Sequence, residues 1–417
     1  MKRKAVGIHV FAGGFTVGVQ RVFDVAHQLE AHGFGLETAE AMCNLKCIND
    51  EEAKWPDVEG EFAFGNPRCT GFSTITSGYD ETAHGPWSKQ TCDIHQLCEY
   101  AAGRYDIVIW ESVQQAYTVG KPLLDYLRDE IFGPKHYRVA HVFVNAGSFG
   151  NAQQRKRYFF VAYRDDRNFN VTPPTIDPYY ATMYDAIYSL RERETKKWWP
   201  TDLDYEFDSY NELSADEEEC IKRLPNGWCL NRMGRHAPEF LTPKYRFTWD
   251  TRTSDLPFSL HSVVRTNWLR PSPTLHSSAS RFIHPHLDRP LTIGEISTIM
   301  GWPRIPIGKN PIGQIVKGIV PDVGQWLAEQ ALSYLNNEWG DDDFESSYNP
   351  ITMTWEGRDT TGAIEKNFDL TKYVGSQFDM ERYPSDVVEQ VRNSRFNVAL
   401  SNLRDLRERP TSRKSER

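Results

Sequence analysis

The 417-residue chain is expected to form an α/β fold with a doubly wound, mostly parallel sheet, joined to a smaller irregular domain. Three observations predict this. Short β-branched runs alternate with helix-period segments through residues 1–165. Those runs end in small, polar or Gly-Pro residues, at the carboxyl strand ends where such sheets present a ligand. Beyond residue 166 the periodicity gives way to clustered Pro, Trp and acidic residues.

The elements follow in order. KAVGIHVFA reads as a first strand. GVQRVFDVAHQLEAHG reads as a helix, with Val19, Val22, Phe23, Ala26 and Leu29 at helical spacing and Gly33 just beyond. GLETAEAM, EFAFGNP and YDIVIWES read as strands, with CDIHQLCEYAAG a helix between the last two. PLLDYLRDEIFG is a further helix, and YRVAHVFVNA and YFFVAYR close the alternation as strands. Helical order returns in LTIGEISTIMGW and VGQWLAEQALSYL. The expected domains are 1–165, a small irregular unit at 166–290, a return to the first domain at 291–337, and an extension at 338–417 whose last fifteen residues are disordered.

Composition narrows the classes. The chain is 39% apolar and 25% charged, as in soluble globular proteins. No apolar run reaches the roughly 18 residues of a membrane span. MKRKAVGIHV lacks a small-residue cleavage site, so no signal peptide is expected. A net charge of −9 argues against coating nucleic acid by bulk charge, yet permits one basic cleft. The seven cysteines, Cys43, Cys47, Cys69, Cys92, Cys98, Cys220 and Cys229, are odd in number and irregularly spaced. They imply no disulfide framework and a reducing compartment. Cys43 and Cys47 have no matching second pair, so no metal site is expected.

Four segments place reactive residues at strand ends: GNPRCTGFS at 65–73, WESV at 110–113, FGNAQQRKRYFF at 149–160, and RPSPTLHSS at 270–278 followed by HPHLDRPLTIGEISTIMGWP. Each alone has an ordinary structural explanation: a Cys as a buried small hydrophobe, a solvated strand-end Glu, a basic solvated edge. Arg155 and Arg157 alternate, so they are expected to point the same way.

Taken together and in order, these segments resemble the DNA cytosine carbon-5 methyltransferase family over roughly residues 5–335. GNPRCTGFS resembles the family's GGPPCQGFS, WESV its ENV, and GNAQQRKR its GVPQxRxR. RPSPT and the run after it resemble the ninth motif. FAGGFTVG at 11–18 resembles the FxGxGGxxxG cofactor loop. The implied fold is the Rossmann-like sheet of class I methyltransferases, with 166–290 as target-recognition domain. The implied donor is S-adenosylmethionine and the implied substrate is cytosine in double-stranded DNA, flipped out of the duplex. By the resemblance, Cys69 adds to carbon 6, Glu111 serves ring nitrogen 3, Arg157 holds the carbonyl oxygen, and Arg155 supports the nucleophile loop or a phosphate. Phe11, Gly13, Gly14, Gly18, Pro67 and Glu40 would hold the donor, Glu40 at the ribose. Asp50, with Asp57 as the other choice, would take the adenine amino group. Arg68, Ser73, Gln153, Arg235, Arg270 and Thr274 would contact DNA. Arg232, Lys244, Arg246 and Arg252 are further candidates within a short recognition segment at 226–260. A monomer in the cytoplasm of a bacterium or phage-infected host is expected.

Three departures stand out. FAGGFTVG is two residues shorter than the family loop, and the helix after it is read as about two turns longer. Arg68 replaces the proline before the Cys, where a cation should favour the thiolate or meet a phosphate or an acidic group on an altered donor. In the tenth motif, QIVKGIVP at 314–321, Lys317-Gly318 replaces a glycine–asparagine pair. These departures leave open an enzyme of the same fold acting on tRNA cytosine or a free nucleotide, one using a modified donor, and a catalytically silent nucleic-acid-binding homologue.

Overall fold

The structure, a computed structural model, describes residues 2–72, 85–172, 174, 181–198, 207–250, 263–276, 281–304, 309–338, 347–349, 354–358, 364–368 and 382–393. The chain divides into two compact units. One comprises Met1–Ala181, Pro273–Ser277 and Ile296–Phe378, the other Thr182–Ser272, Ser278–Glu295 and Asp379–Arg417.

The first unit is built on a sheet whose seven principal strands are β1 (Lys4–Ile8), β2 (Asp24–Glu30), β3 (Cys47–Asn49), β4 (Phe62–Gly65), β5 (Ile107–Ser112), β6 (Tyr137–Asn145) and β7 (Lys156–Arg164). Their spatial order is β6-β7-β5-β4-β1-β2-β3. All neighbours are parallel except β7, which runs antiparallel to both β5 and β6. The chain winds outward from β1 through β2 and β3, then crosses back to β4. The switch point therefore lies between β1 and β4, where open α/β sheets form their ligand crevice. Val6, Ile8, Ala63, Val108 and Trp110 are fully buried in the core beneath it. Beyond β6 the sheet continues: Ile364–Phe368 pairs parallel with β6, Thr354–Arg358 pairs antiparallel with it, and Ser347–Asn349 completes the edge. Part of the expected extension is thus sheet.

Two elements differ from expectation. The helix read across residues 18–33 is instead α1 (Gly14–Gln20) followed by β2. The apolar spacing is helical, but Asp24, Val25, Gln28 and Leu29 pair in register with Lys4, Ala5, Gly7 and Ile8 of β1. Only the folded β1 supplies those hydrogen bonds, so tertiary pairing overrides the local period. Conversely, GLETAEAM is α2 (Leu36–Cys43), not a strand. It starts at Gly35, whose φ of 90° an L side chain adopts poorly, and the Ala39 N–H donates to the Gly35 carbonyl at 2.9 Å. The helix α3 (Cys92–Ala101) forms as its pattern predicts, burying Ile94, Leu97, Cys98 and Ala101.

The second unit has its own small core, including Ile221, Leu230, Met233, Ala237, Val263 and Ile283. Its short helices include Ala215–Ile221, opened by a Ser214–Glu217 capping box, Leu230–His236 and Pro243–Asp250. Arg265 is buried there and donates to the carbonyls of Leu224 at 2.7 Å, His284 at 3.1 Å and Leu287 at 3.2 Å. Among the described residues no helix is long and apolar enough to cross a membrane.

Candidate active site

The carboxyl ends of β1, β2, β4 and β5 open into a cavity of 1320 Å³ within the first unit. Cys69 lines it from the loop just after β4, Glu111 from the end of β5, and Arg157 from the second position of β7. The antiparallel pairing of β7 with β5 sets Glu111 opposite Phe159, two residues from Arg157 and so on the same face. Arg157 Nε donates to Glu111 Oε1 at 2.7 Å, and Asn66 Nδ2 donates to Glu111 Oε2 at 2.6 Å. Glu111 is 2% exposed. Burial pushes its carboxyl up, and the Arg157 and Arg155 charges work against that rise. Burial and the Glu111 charge raise the Cys69 thiol, while Arg157 and Arg155 oppose them. The three side chains thus form one electrostatic unit.

Arg155 departs from its expected role. Its side chain is 1% exposed and does not line the cavity. It donates to the carbonyls of Leu275 at 3.1 Å, Val316 at 2.8 Å and Gly318 at 3.0 Å, so it clamps three backbone groups and touches no phosphate site. Gln153 is likewise buried inward, accepting from the Leu275 N–H at 2.9 Å. Its neighbour Gln154 lines the cavity instead. Thr274 also lines the cavity and donates to the Gln154 carbonyl at 2.6 Å.

At the other end the acidic residue is Glu30, not Glu40. Glu30 closes β2 and faces the cavity, accepting from the Phe11 N–H at 3.0 Å, the Ala31 N–H at 2.9 Å and His9 Nδ1 at 3.1 Å. Glu40 lies on α2, outside the cavity, accepting from Lys46 Nζ at 2.5 Å and the Cys47 N–H at 3.0 Å. β2 thus ends on an acidic residue at the cavity ten positions before Glu40. Asp50 caps its own turn, accepting from the Glu52 N–H at 2.9 Å, and Glu51 lines the cavity in its place. Asp57 pairs with Arg104 at 2.9 Å. Phe11 and Pro67 line the cavity as expected, and Phe11 packs on Phe34, ring centroids 5.6 Å apart.

Gly13, Gly14 and Gly18 are not among the lining residues. Gly13, at φ 87°, turns β1 into α1. A Cβ on Gly18 would collide with the Pro321 carbonyl, so this glycine permits close packing of α1 against the helix Pro321–Leu335.

Arg68 lines the cavity, partly exposed, and its guanidinium is taken by a carboxylate. Its Nε and Nη2 donate to the two oxygens of Asp93 at 2.8 and 2.7 Å. That fork is the preferred Arg–carboxylate geometry, and it commits the guanidinium to Asp93. His32 Nε2 also meets Asp93, at 3.0 Å. His9, His32 and Asp93 bring ligand-type atoms within 4.8 Å of one another, though the Arg68 fork already holds the carboxylate. Arg235 and Arg270 are exposed residues of the second unit. Arg246 pairs with Asp250 at 2.8 Å, and Arg232 stacks over Trp228. Ser73 and Arg252 lie outside the described residues.

Asn66, His9, Glu30 and Glu51 were not singled out from sequence. The only mark of Asn66 is a polar residue at the second glycine of the GGPPC pattern. Glu30 would have been found had β2 been read as a strand.

Comparison with known proteins matches the model for C-5 cytosine-specific DNA methylases over residues 53–314. A relative, the type II methyltransferase M.DdeI of Desulfomicrobium norvegicum, is 25% identical over 317 residues, covering 67% of this chain and 74% of the relative. Among solved structures, a DNA modification methyltransferase encoded within an E. coli prophage superposes with a TM-score of 0.58 at 17% identity, covering 80% of this chain and 99% of the other, which shows the shared fold.

Proposed function

The chain belongs to the family of C-5 cytosine-specific DNA methylases, and from that premise we propose that Cys69, Glu111 and Arg157 carry out methyl transfer to carbon 5 of a cytosine flipped from double-stranded DNA. The observation that carries the reading is their convergence on one cavity, with both Glu111 oxygens held by donors. Carbon 5 is a poor nucleophile in the aromatic ring. Addition of the Cys69 thiolate to carbon 6 breaks the aromaticity and leaves carbon 5 enamine-like. Glu111 delivers a proton to ring nitrogen 3, which stabilises the addition. Arg157 is engaged by Glu111 through Nε and by the Lys156 carbonyl through Nη1, and its remaining guanidinium donors would orient the carbonyl oxygen. The burial of Glu111 strengthens its interactions with Arg157 and Asn66.

The residues at the other end fit S-adenosylmethionine. A strand-end carboxylate, Glu30, suits ribose hydroxyls, and the Phe11 and Phe34 rings with Glu51 suit an adenine. When bound, that donor supplies an electrophilic methyl on a sulfonium. The second unit, with exposed Arg235 and Arg270, is proposed to read the target, and the protein to act as a monomer in the cytoplasm.

The test is Cys69→Ser together with a mechanism-based trap. Cys69→Ser is expected to abolish methyl transfer while retaining DNA binding, because a serine hydroxyl is a far weaker nucleophile at neutral pH. DNA carrying 5-fluorocytosine is expected to form a covalent adduct with the native enzyme, since fluorine does not leave as a proton. Turnover by Cys69→Ser above a few per cent, or turnover of normal DNA without an adduct on the fluorinated one, sinks the reading.

A further inference from the structure

Lys317 stands where the tenth motif departs from the family, and the structure places it in the cavity. It is the last residue of the helix Pro311–Lys317, and its side chain is exposed to the cavity. The backbone on both sides is fixed. Arg155 donates to the carbonyls of Val316 and Gly318 at 2.8 and 3.0 Å. Gly318 lies so close to the Trp302 ring that a Cβ would collide with it, and Trp302 Nε1 donates to the Ile319 carbonyl at 3.1 Å. A buried guanidinium and a buried indole therefore hold the turn that presents this lysine.

Its position identifies the end of the cavity it serves. Lys317 Nζ lies 5.7 Å from the centroid of Phe34, which packs on Phe11. Phe11 in turn donates its N–H to Glu30. Lys317 therefore belongs to the donor end. The other cations lining the cavity are differently placed: Arg68 is engaged by Asp93, Arg157 by Glu111, and Lys156 adjoins Arg157 at the start of β7. Among the described residues, no carboxylate pairs with Lys317.

A sulfonium donor of the ordinary kind carries two positive charges, sulfonium and ammonium, against one carboxylate. An ammonium fixed beside it repels it unless it faces an anionic group. We infer that Lys317 is a donor-recognition residue that binds a carboxylate of the sulfonium donor. This rests on the reading of the cavity as a donor site. Two carboxylates share the required chemistry: that of the amino-acid tail, and one borne on the transferred carbon. In the second case the electron balance is that of methyl transfer. Carbon 5, activated by Cys69, bonds to the carboxylate-bearing carbon, and the carbon–sulfur pair leaves with sulfur, which becomes a neutral thioether. Carbon 5 then loses its proton to water, and that pair forms the carbon 5–carbon 6 double bond. The carbon 6–sulfur pair returns to Cys69 as thiolate, and nitrogen 3 returns its proton to Glu111. The product is a carboxymethyl cytosine.

The test is calorimetric binding of three donors to the native protein, Lys317→Met and Lys317→Arg, without DNA. The donors are S-adenosylmethionine, the same sulfonium lacking the tail carboxylate, and the same sulfonium with a carboxylate on the transferred carbon. If Lys317 meets the tail, the native protein prefers the first donor to the second by about tenfold or more. If it meets the transferred group, the native protein prefers the third to the first by a similar factor, and nucleoside mass spectrometry of treated DNA shows carboxymethyl cytosine. In either case Lys317→Met erases the preference and Lys317→Arg keeps most of it. Preferences changed by less than about twofold in Lys317→Met overturn the inference. Binding is read without turnover, so a Lys317-dependent preference alongside absent cytosine modification would sink the proposed function and leave this inference standing.

Discussion

Glu111 carries opposing demands at the scale of one residue. In the proposed mechanism it holds a proton for ring nitrogen 3, yet it lies against Arg157 and Asn66, both of which favour the carboxylate. Burial is the counterweight, pushing its carboxyl up. Cys69 is coupled to it: burial first, and the Glu111 charge second, raise the thiol, so the resting site holds mainly thiol and the thiolate grows as pH rises. Glu111→Gln is therefore expected to act in two directions. Methyl transfer falls by about 100- to 10,000-fold because the amide delivers no proton. Alkylation of Cys69 by iodoacetamide moves to lower pH because a negative charge beside the thiol is gone. An alkylation profile that stays put or moves to higher pH removes the coupling.

Arg68 belongs to the same scale. Burial raises the Asp93 carboxyl, but the Arg68 hydrogen bonds and charge, together with His9 and His32, outweigh it, so Asp93 titrates well below its usual range. A depressed value in the folded state stabilises the protein above the ordinary carboxylate pKa of about 4, and the contribution is lost as pH falls toward the folded value. Arg68→Ala is expected to cost about 1–3 kcal/mol near neutral pH. The figure is modest because the guanidinium is 41% exposed. The gap to the native protein should narrow in urea melts below about pH 4; an equal gap at pH 3 and pH 7 denies the ion pair its role.

At the scale of elements, β2 decides which acidic residue reaches the proposed donor site. Its hydrogen bonds to β1 carry Glu30 to the sheet's carboxyl edge, while α2 turns Glu40 toward Lys46. Glu30→Gln is expected to weaken S-adenosylmethionine binding by about tenfold or more, by removing a charged acceptor. Glu40→Gln should leave the affinity within about twofold. Isothermal titration of both variants checks this, and the reverse ranking would restore Glu40 to the ribose.

For the whole molecule, the strand Ile364–Phe368 matters because it pairs along β6 and covers that edge of the sheet. An uncovered strand presents unpaired N–H and C=O groups to other chains. Truncation after residue 338 is expected to make the protein self-associate, read as larger species in light scattering behind size exclusion. A truncated protein that stays the size of the full chain would show that the added strands leave the sheet's edge chemistry unchanged.

The sequence by itself determined the alternating α/β plan and marked Cys69, Glu111 and Arg157, which the fold brings to one cavity. The physical reason is that covalent pyrimidine chemistry demands particular residue types, and strand-end loops display them as local motifs. Long apolar strands such as β5 and β6 were equally legible, because burial on both faces leaves an unmistakable run. Only the tertiary structure decided the rest. The Val19–Leu29 segment has helical spacing, and pairing with β1 overrides it from residue 24 onward. Arg155 and Gln153 read as an outward basic edge, but carbonyls and an N–H from 275, 316 and 318, over a hundred residues away, draw them inward. Arg68 reads as a partner for the thiolate, a phosphate or an acidic group of the donor, and the carboxylate that claims it comes from α3. In each case the deciding partner is remote in sequence, so local pattern carries no trace of it.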